Sequence, residues 1–148
     1  MPEKKTIERA REDKREGKAP STQAGEFVRE EMEHIRRGKH GARSTKQAIA
    51  IGLSKARRSG VKLPAPEKGQ ASERTRRSAK SALKHAGEKP SPTRSRATEK
   101  ALKREPHSAA SKKALSRQAR TAAKKRSASS RSAAAKKAAR TRARNRAA

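Results

Sequence analysis

Cysteine is absent, tryptophan and tyrosine are absent, and Phe27 is the only aromatic residue. Without thiols the chain can build neither a disulfide framework nor a thiolate metal site. With a single aromatic ring it is short of the platforms on which RNA and single-stranded nucleic acid binders stack bases. Long apolar runs are missing too. No segment approaches the roughly 20 apolar residues of a membrane span. The N-terminal residues hold no apolar stretch of about 7–15 residues such as a secretory leader needs. The expectation is a cytoplasmic protein with no membrane partner. Acid is the last scarcity: residues 107–148 contain no Asp or Glu.

Large apolar side chains are few. Ile, Leu, Val and Phe number 12 of 148 residues. A content below about 20% together with high net charge is the composition of disordered chains. Ordering one residue costs roughly 1–2 kcal/mol of backbone entropy, and apolar burial returns only about 25 cal/mol per Å². Eight of the twelve fall in 21–64: Phe27, Val28, Ile35, Ile49, Ile51, Leu53, Val61 and Leu63. Beyond residue 64 only Leu83, Leu102 and Leu115 remain. A core is therefore expected in 21–64, with Met32 added.

What the chain has in plenty is positive charge, 43 Lys and Arg against 14 Asp and Glu, for a formal net charge of +29. The excess is graded. Residues 1–40 are nearly balanced with 11 basic and 9 acidic residues, 41–106 carry 18 and 5, and 107–148 carry 14 and none. An acid-free basic block repels itself until a polyanion neutralises it.

Residues 1–20 mix charges densely and predict a charged arm or a fraying, solvated helix that ends near Gly17. In 22–37, Ala24, Val28, Met32 and Ile35 recur at helical spacing, with Gly38 as the stop. A second helix follows in STKQAIAIGLSKARRSG, residues 44–60. Ser44 and Gln47 have the capping-box spacing, and Gly60 stands at the end. Gly52 in its middle is costly in a helix and implies close approach of another backbone. The short Gly38–Gly41 connection makes 21–63 a helical hairpin. Below about 40 residues such a unit needs outside support, and a homodimer through 21–63 would supply it. From Pro64 to Ala148 the sequence reads as a basic low-complexity tail, with short helices in 72–86, 96–104 and 108–126 that firm up on binding. The expected fold class is mostly α: a small N-terminal helical hairpin and a largely disordered, partly helix-prone basic tail.

No catalytic constellation is visible, so an enzyme is not expected, and neither is a cofactor. His34, His40, His85 and His107 are scattered. His34 and His40 lack the i, i+4 spacing of a helical zinc pair, so no metal site is expected and the histidines read as solvated surface. Glu30, Glu31 and Glu33 read as a solvated helix face, and Gly38-Lys39-His40-Gly41 lacks the spacing of a phosphate-binding loop.

The cations carry the functional signal, because neutralising Z phosphates releases counterions with a salt slope of about −0.9Z on duplex DNA. In and beside the hairpin the candidate contacts are Arg43, Lys46, Lys55, Arg57, Arg58 and Lys62. Arg74, Arg76, Arg77, Lys80, Lys84, Arg94 and Arg96 follow. The last third adds Lys112, Lys113, Arg117, Arg120, Lys124, Lys125 and Arg126, then Lys136, Lys137, Arg140, Arg142, Arg144 and Arg146. The shortage of aromatic rings favours duplex DNA, with RNA as the alternative.

KQAIAIGLSKAR, residues 46–57, resembles a motif of a family of small, basic bacterial and phage-encoded proteins to which no activity is attached. The likeness spans roughly residues 22–62. Thr45 stands where that motif has Arg, and Lys55 where it more often has an acid. The resemblance implies bacterial origin and brings no binding residues. Separately, the Ala/Lys/Arg/Ser tail is similar in composition to the tails of linker histones and histone-like bacterial proteins, which implies DNA compaction.

These readings converge on a sequence-nonspecific DNA-binding protein of nucleoid-associated or histone-like kind, located with the nucleoid. An RNA- or ribosome-associated basic protein is the first alternative. An adaptor whose hairpin docks a protein through Ile51 is the second. Phosphorylation of the many Ser and Thr residues would lower the positive charge.

Overall fold

The computed structural model describes residues 1–147. Among them lie seven α-helices and one short 3-10 helix, and no strand. The chain divides into two compact units, Met1–Ser111 and a second from Lys112 onward.

The first unit is built on three helices, α1 (Lys4–Arg15), α2 (Pro20–Arg36) and α3 (Thr45–Arg58). Pro20 opens α2, where its fixed φ suits the first turn and its missing N–H is not needed. Ser44 caps α3, its Oγ accepting from the Gln47 amide at 3.2 Å. The returning Gln47 side chain reaches one residue further than a capping box requires and accepts from the Arg43 amide at 2.7 Å. Ala48, Gly52 and Ala56 form a buried stripe of small side chains on α3. A Cβ on Gly52 would lie 2.7 Å from the Val28 Cα, so α2 and α3 meet with backbone against side-chain-free backbone. Phe27 and Ala24 of α2, Ala56 of α3 and Val61 beyond it form the core with Ala10 of α1, and Ile7, Leu53 and Leu63 pack on it.

Three sequence expectations are corrected here. The first concerns residues 1–20: the helix expected to end near Gly17 is present as α1, but it is not wholly solvated. Thr6, Ala10 and Asp13 of α1 are buried. The chain turns at Gly17 with φ +71°. Lys18 secures the turn, its Nζ standing 2.7 Å from Asp13 Oδ1 and 2.6 Å from Glu16 Oε2. Those hydrogen bonds, Asp13's foremost, raise the Lys18 pKa.

The second correction concerns the tail. The largely disordered tail expected after Pro64 is not found. α4 (Glu73–Lys84) and α5 (Pro92–Leu102) are regular helices, and α4 buries Ala79 and Ala82. Ser72 caps α4 by accepting from the Thr75 amide at 3.2 Å, and the Gly87 amide donates to the Arg58 carbonyl at 2.8 Å. The segment after α5 docks on the α2–α3 connection. Gly41 N donates to Leu102 O at 2.9 Å and Ala42 N to Pro106 O at 3.0 Å. Thr45 Oγ1 donates to Ala109 O at 2.7 Å, and Arg36 Nε to Ala110 O at 2.9 Å. The 3-10 turn His107–Ala110 buries both of its alanines. The physical reason is alanine. Nine of the thirteen buried apolar residues are Ala, a residue that loses no side-chain entropy on burial and lets helices approach closely. A count of large aliphatics misses that core.

The third correction follows from the second. The hairpin does not stand alone, because α1, α4 and the 3-10 turn pack on it.

The second unit contains α6 (Lys112–Lys124) and α7 (Ala128–Ala147). Neither buries a residue.

Candidate nucleic-acid interface

The predicted phosphate contacts separate into two kinds. Some are engaged within the first unit. Arg57 is only 6% exposed, and it donates from Nε to Leu63 O at 3.1 Å and from Nη2 to Pro64 O at 3.0 Å. Burial lowers its pKa. Arg57 is a clamp that closes the chain over the end of α3 and is not placed to meet a phosphate. Lys55 reaches the buried Glu31, Nζ to Oε2 at 2.6 Å. Arg76 pairs with Glu73 at 2.6 Å and donates to Pro66 O at 3.3 Å. Arg58 is half-buried.

The others are open. Arg43, Lys46, Lys62, Arg74, Arg77, Lys80, Lys84, Arg94 and Arg96 are exposed. They share the first unit with all 14 acidic residues of the chain, so its surface carries both signs.

The second unit differs in kind. Lys112, Lys113, Arg117, Arg120, Lys124, Lys125, Arg126, Lys136, Lys137, Arg140, Arg142, Arg144 and Arg146 are all exposed, and no acidic side chain lies among them. Arg131, on α7, belongs to the same set; it was missed, although the same acid-free run marks it. On α6 the spacing concentrates charge. Lys113, Arg117, Arg120 and Lys124 recur at steps of four, three and four, which is one helix face. With Ser116 and Thr121 between them they line an open groove of about 340 Å³. At 1.5 Å rise per residue that stripe runs about 16 Å, the length of about five base-pair steps at 3.4 Å each. α7 has 20 residues, about 30 Å of axis. Its cations are not confined to one stripe but spread over about two thirds of the helix circumference. Self-bonding within the unit is light: Arg126 donates to Ser130 Oγ at 3.1 Å and Arg142 Nε to Ala138 O at 3.3 Å.

The one aromatic side chain is unavailable for stacking, because Phe27 is 1% exposed in the core of the first unit.

Two further readings of the sequence change. Glu30, Glu31 and His34 are buried rather than solvated, and His40 is half-buried beside them. Glu31, His34 and His40 bring their ligand atoms within 4.8 Å of one another. The signal was present as Glu31-x-x-His34, spaced to share one helix face, with His40 just past the Gly38 stop. It does not have the i, i+4 histidine spacing of a helical zinc pair.

Residues 4–68 match a family of unknown function, DUF6496. That stretch covers α1, α2, α3 and the clamp at Arg57, and ends before α4. No curated protein and no solved structure matches the chain.

Proposed function

We propose that this chain binds nucleic acid through phosphates and without reading base sequence, with duplex DNA as its ligand. The observation that supports this most is the second unit: two helices and the link between them with fourteen Lys and Arg, all open to solvent, and no acidic side chain. A polyanion relieves their mutual repulsion and releases its own counterions in doing so. The α6 stripe presents four of the cations along one line, and α7 extends the positive surface. Backbone-directed binding of this kind is what histone-like, nucleoid-associated proteins do, and that is the cellular role proposed.

RNA is the weaker candidate on chemical grounds. RNA and single-stranded nucleic acid binders commonly stack bases on aromatic rings, and the single ring here is buried, which leaves exposed arginine planes alone for that role. The first unit has charges of both signs and engages Arg57 and Lys55 internally. It serves as the folded body to which the binding helices are joined.

The test is competition binding by the full chain. Labelled duplex DNA is held at moderate salt and challenged with duplexes of unrelated sequence, then with structured RNA of equal charge. The expected result is displacement by every duplex at equal concentration and weaker displacement by the RNA. Displacement by one duplex sequence alone, or by RNA far more effectively, contradicts the reading.

A further inference from the structure

We propose that Glu31, His34 and His40 form a binding site for a borderline divalent transition-metal ion, with Zn²⁺ the occupant their donor chemistry fits. Two imidazoles and one carboxylate make an N₂O set, the kind that zinc takes with a fourth position left for water or another oxygen.

The geometry argues for a cation at this place. Glu31 is fully buried, 0% exposed, and its Oε1 accepts no hydrogen bond. Its other oxygen is occupied by the Lys55 ammonium at 2.6 Å. His40 Nδ1 lies 3.1 Å from the Gly41 carbonyl oxygen. A carbonyl only accepts, so Nδ1 carries the ring proton. In a neutral ring Nε2 then presents its lone pair to Glu31 Oε1, 3.3 Å away. A positive charge between these two atoms, a proton or a metal ion, relieves that contact. His34, one turn beyond Glu31 on α2, sets its ring edge-on to that of His40, with centroids 6.2 Å apart at 84°.

Its surroundings have the features of a metal site's outer shell, in which second partners orient the ligands. Lys55 holds the far oxygen of Glu31, and the Gly41 carbonyl holds the far nitrogen of His40. Glu3 Oε1 takes His34 Nε2 at 2.9 Å and Lys39 Nζ at 3.0 Å. Glu30 Oε1, also buried and without a donor, lies 3.9 Å from His34 Nε2, the nitrogen that Glu3 holds, so the fourth position is left to water. Charge also allows it: among the described residues the ammonium groups paired with Glu3, Glu30 and Glu31 are those of Lys39 and Lys55, beside the rings of His34 and His40. Tetrahedral donors at bonds of about 2.0–2.1 Å stand about 3.3–3.4 Å apart, so ligand atoms that now lie within 4.8 Å of one another must draw together by up to about 1.5 Å. Of the three ligands His40 alone lies outside the helices, between α2 and α3, so a shift of its ring bends no helix.

The experiment titrates the metal-free full chain with Zn²⁺ by calorimetry and with Co²⁺ by visible absorption. One ion per chain is expected, with the intense absorption of a four-coordinate Co²⁺ site. His40→Ala and Glu31→Gln are expected to weaken Zn²⁺ binding at least about tenfold, and His85→Ala, outside the cluster, to leave it unchanged. Should Glu31→Gln fail to fold, His40→Ala and the histidine ring nitrogen shifts of the wild-type chain decide. Those shifts must move at His34 and His40 on adding Zn²⁺. No uptake at tenfold excess, uptake that His40→Ala retains in full, or a His40 ring that stays protonated and ignores Zn²⁺ overturns the proposal.

Discussion

Residues 1–111 and 112–147 are written in much the same alphabet of Ala, Ser, Lys and Arg, and they put it to different uses. In the first unit alanine is a core residue: Ala10, Ala24, Ala48, Ala56, Ala79 and Ala82 are buried where helices meet. Its charges are of both signs, and many are paired, as Lys18 is with Asp13 and Lys55 with Glu31. In the second unit alanine is a helix former and little else, since α6 and α7 bury nothing. Its charges have one sign and no acidic side chain to answer them. The same residue types therefore give a folded body where a few glycines and acids let helices approach and pair, and an open basic surface where those are missing.

The comparison can be broken or sharpened by substitution. The largest effect is expected in the first unit's core. Phe27→Ala removes its one large ring and should cost about 3–5 kcal/mol in urea unfolding; a cost within about 0.5 kcal/mol, the range of surface substitutions, would contradict the placement of the core. Gly41→Ala comes next, because the new Cβ would lie 1.8 Å from the Glu105 carbonyl oxygen. The 102–110 segment should undock, at a loss of about 1–3 kcal/mol as for other overpacked sites, and the Ala42 amide should exchange faster with solvent. Retained protection at Ala42 sinks the claim that this segment belongs to the first unit. Ala139→Gly on α7 should lower helicity there by about 1 kcal/mol of local propensity and leave the first unit's unfolding midpoint where it was. A shifted midpoint would mean that the helix supports the core.

The smallest effect is a pH response at the N-terminus. The hydrogen bond with His34, then that with Lys39, lowers the Glu3 pKa from 4.5 to about 2. A carboxylate held low in the folded chain stabilises it fully above the unfolded value. That contribution fades as pH falls from about 4.5 towards 2. The Glu3 carboxyl carbon, followed by NMR, should titrate near pH 2; titration near 4.5 would show that the Glu3–His34 bond does not hold in solution.

Parts of this were legible in the sequence. The 3.6-residue recurrence in 22–37 and the Ser44–Gln47 start mark segments that α2 and α3 occupy, and Gly52 signals the close approach that Val28 makes. The body of the first unit beyond residue 64 was not legible. Its contacts run through Ala79, Ala82, Ala109 and Ala110, which carry no hydrophobic signature amid Ser and Lys, and through backbone bonds to Gly41 and Ala42. The candidate interface was readable as charge and unreadable as availability. Arg57 and Arg140 look equivalent in the sequence, yet one is locked to two carbonyls and the other is open to solvent. The histidine cluster was hidden for a third reason: its ligands come from a helix and from the connection after it, which no fixed spacing encodes.

The account rests on the claim that location, not total charge, makes the binding surface. Two full-length variants of equal charge test it most directly. One replaces Lys113, Arg117, Arg120 and Lys124 with alanine. The other replaces Lys4, Lys5, Arg11 and Lys14, four exposed cations of α1. The salt dependence of duplex DNA binding is then measured for both. Losing four phosphate contacts should flatten the logarithmic slope by about 3–4 in the α6 variant and by much less in the α1 variant. Equal flattening in the two would contradict the account and leave net charge as the only determinant.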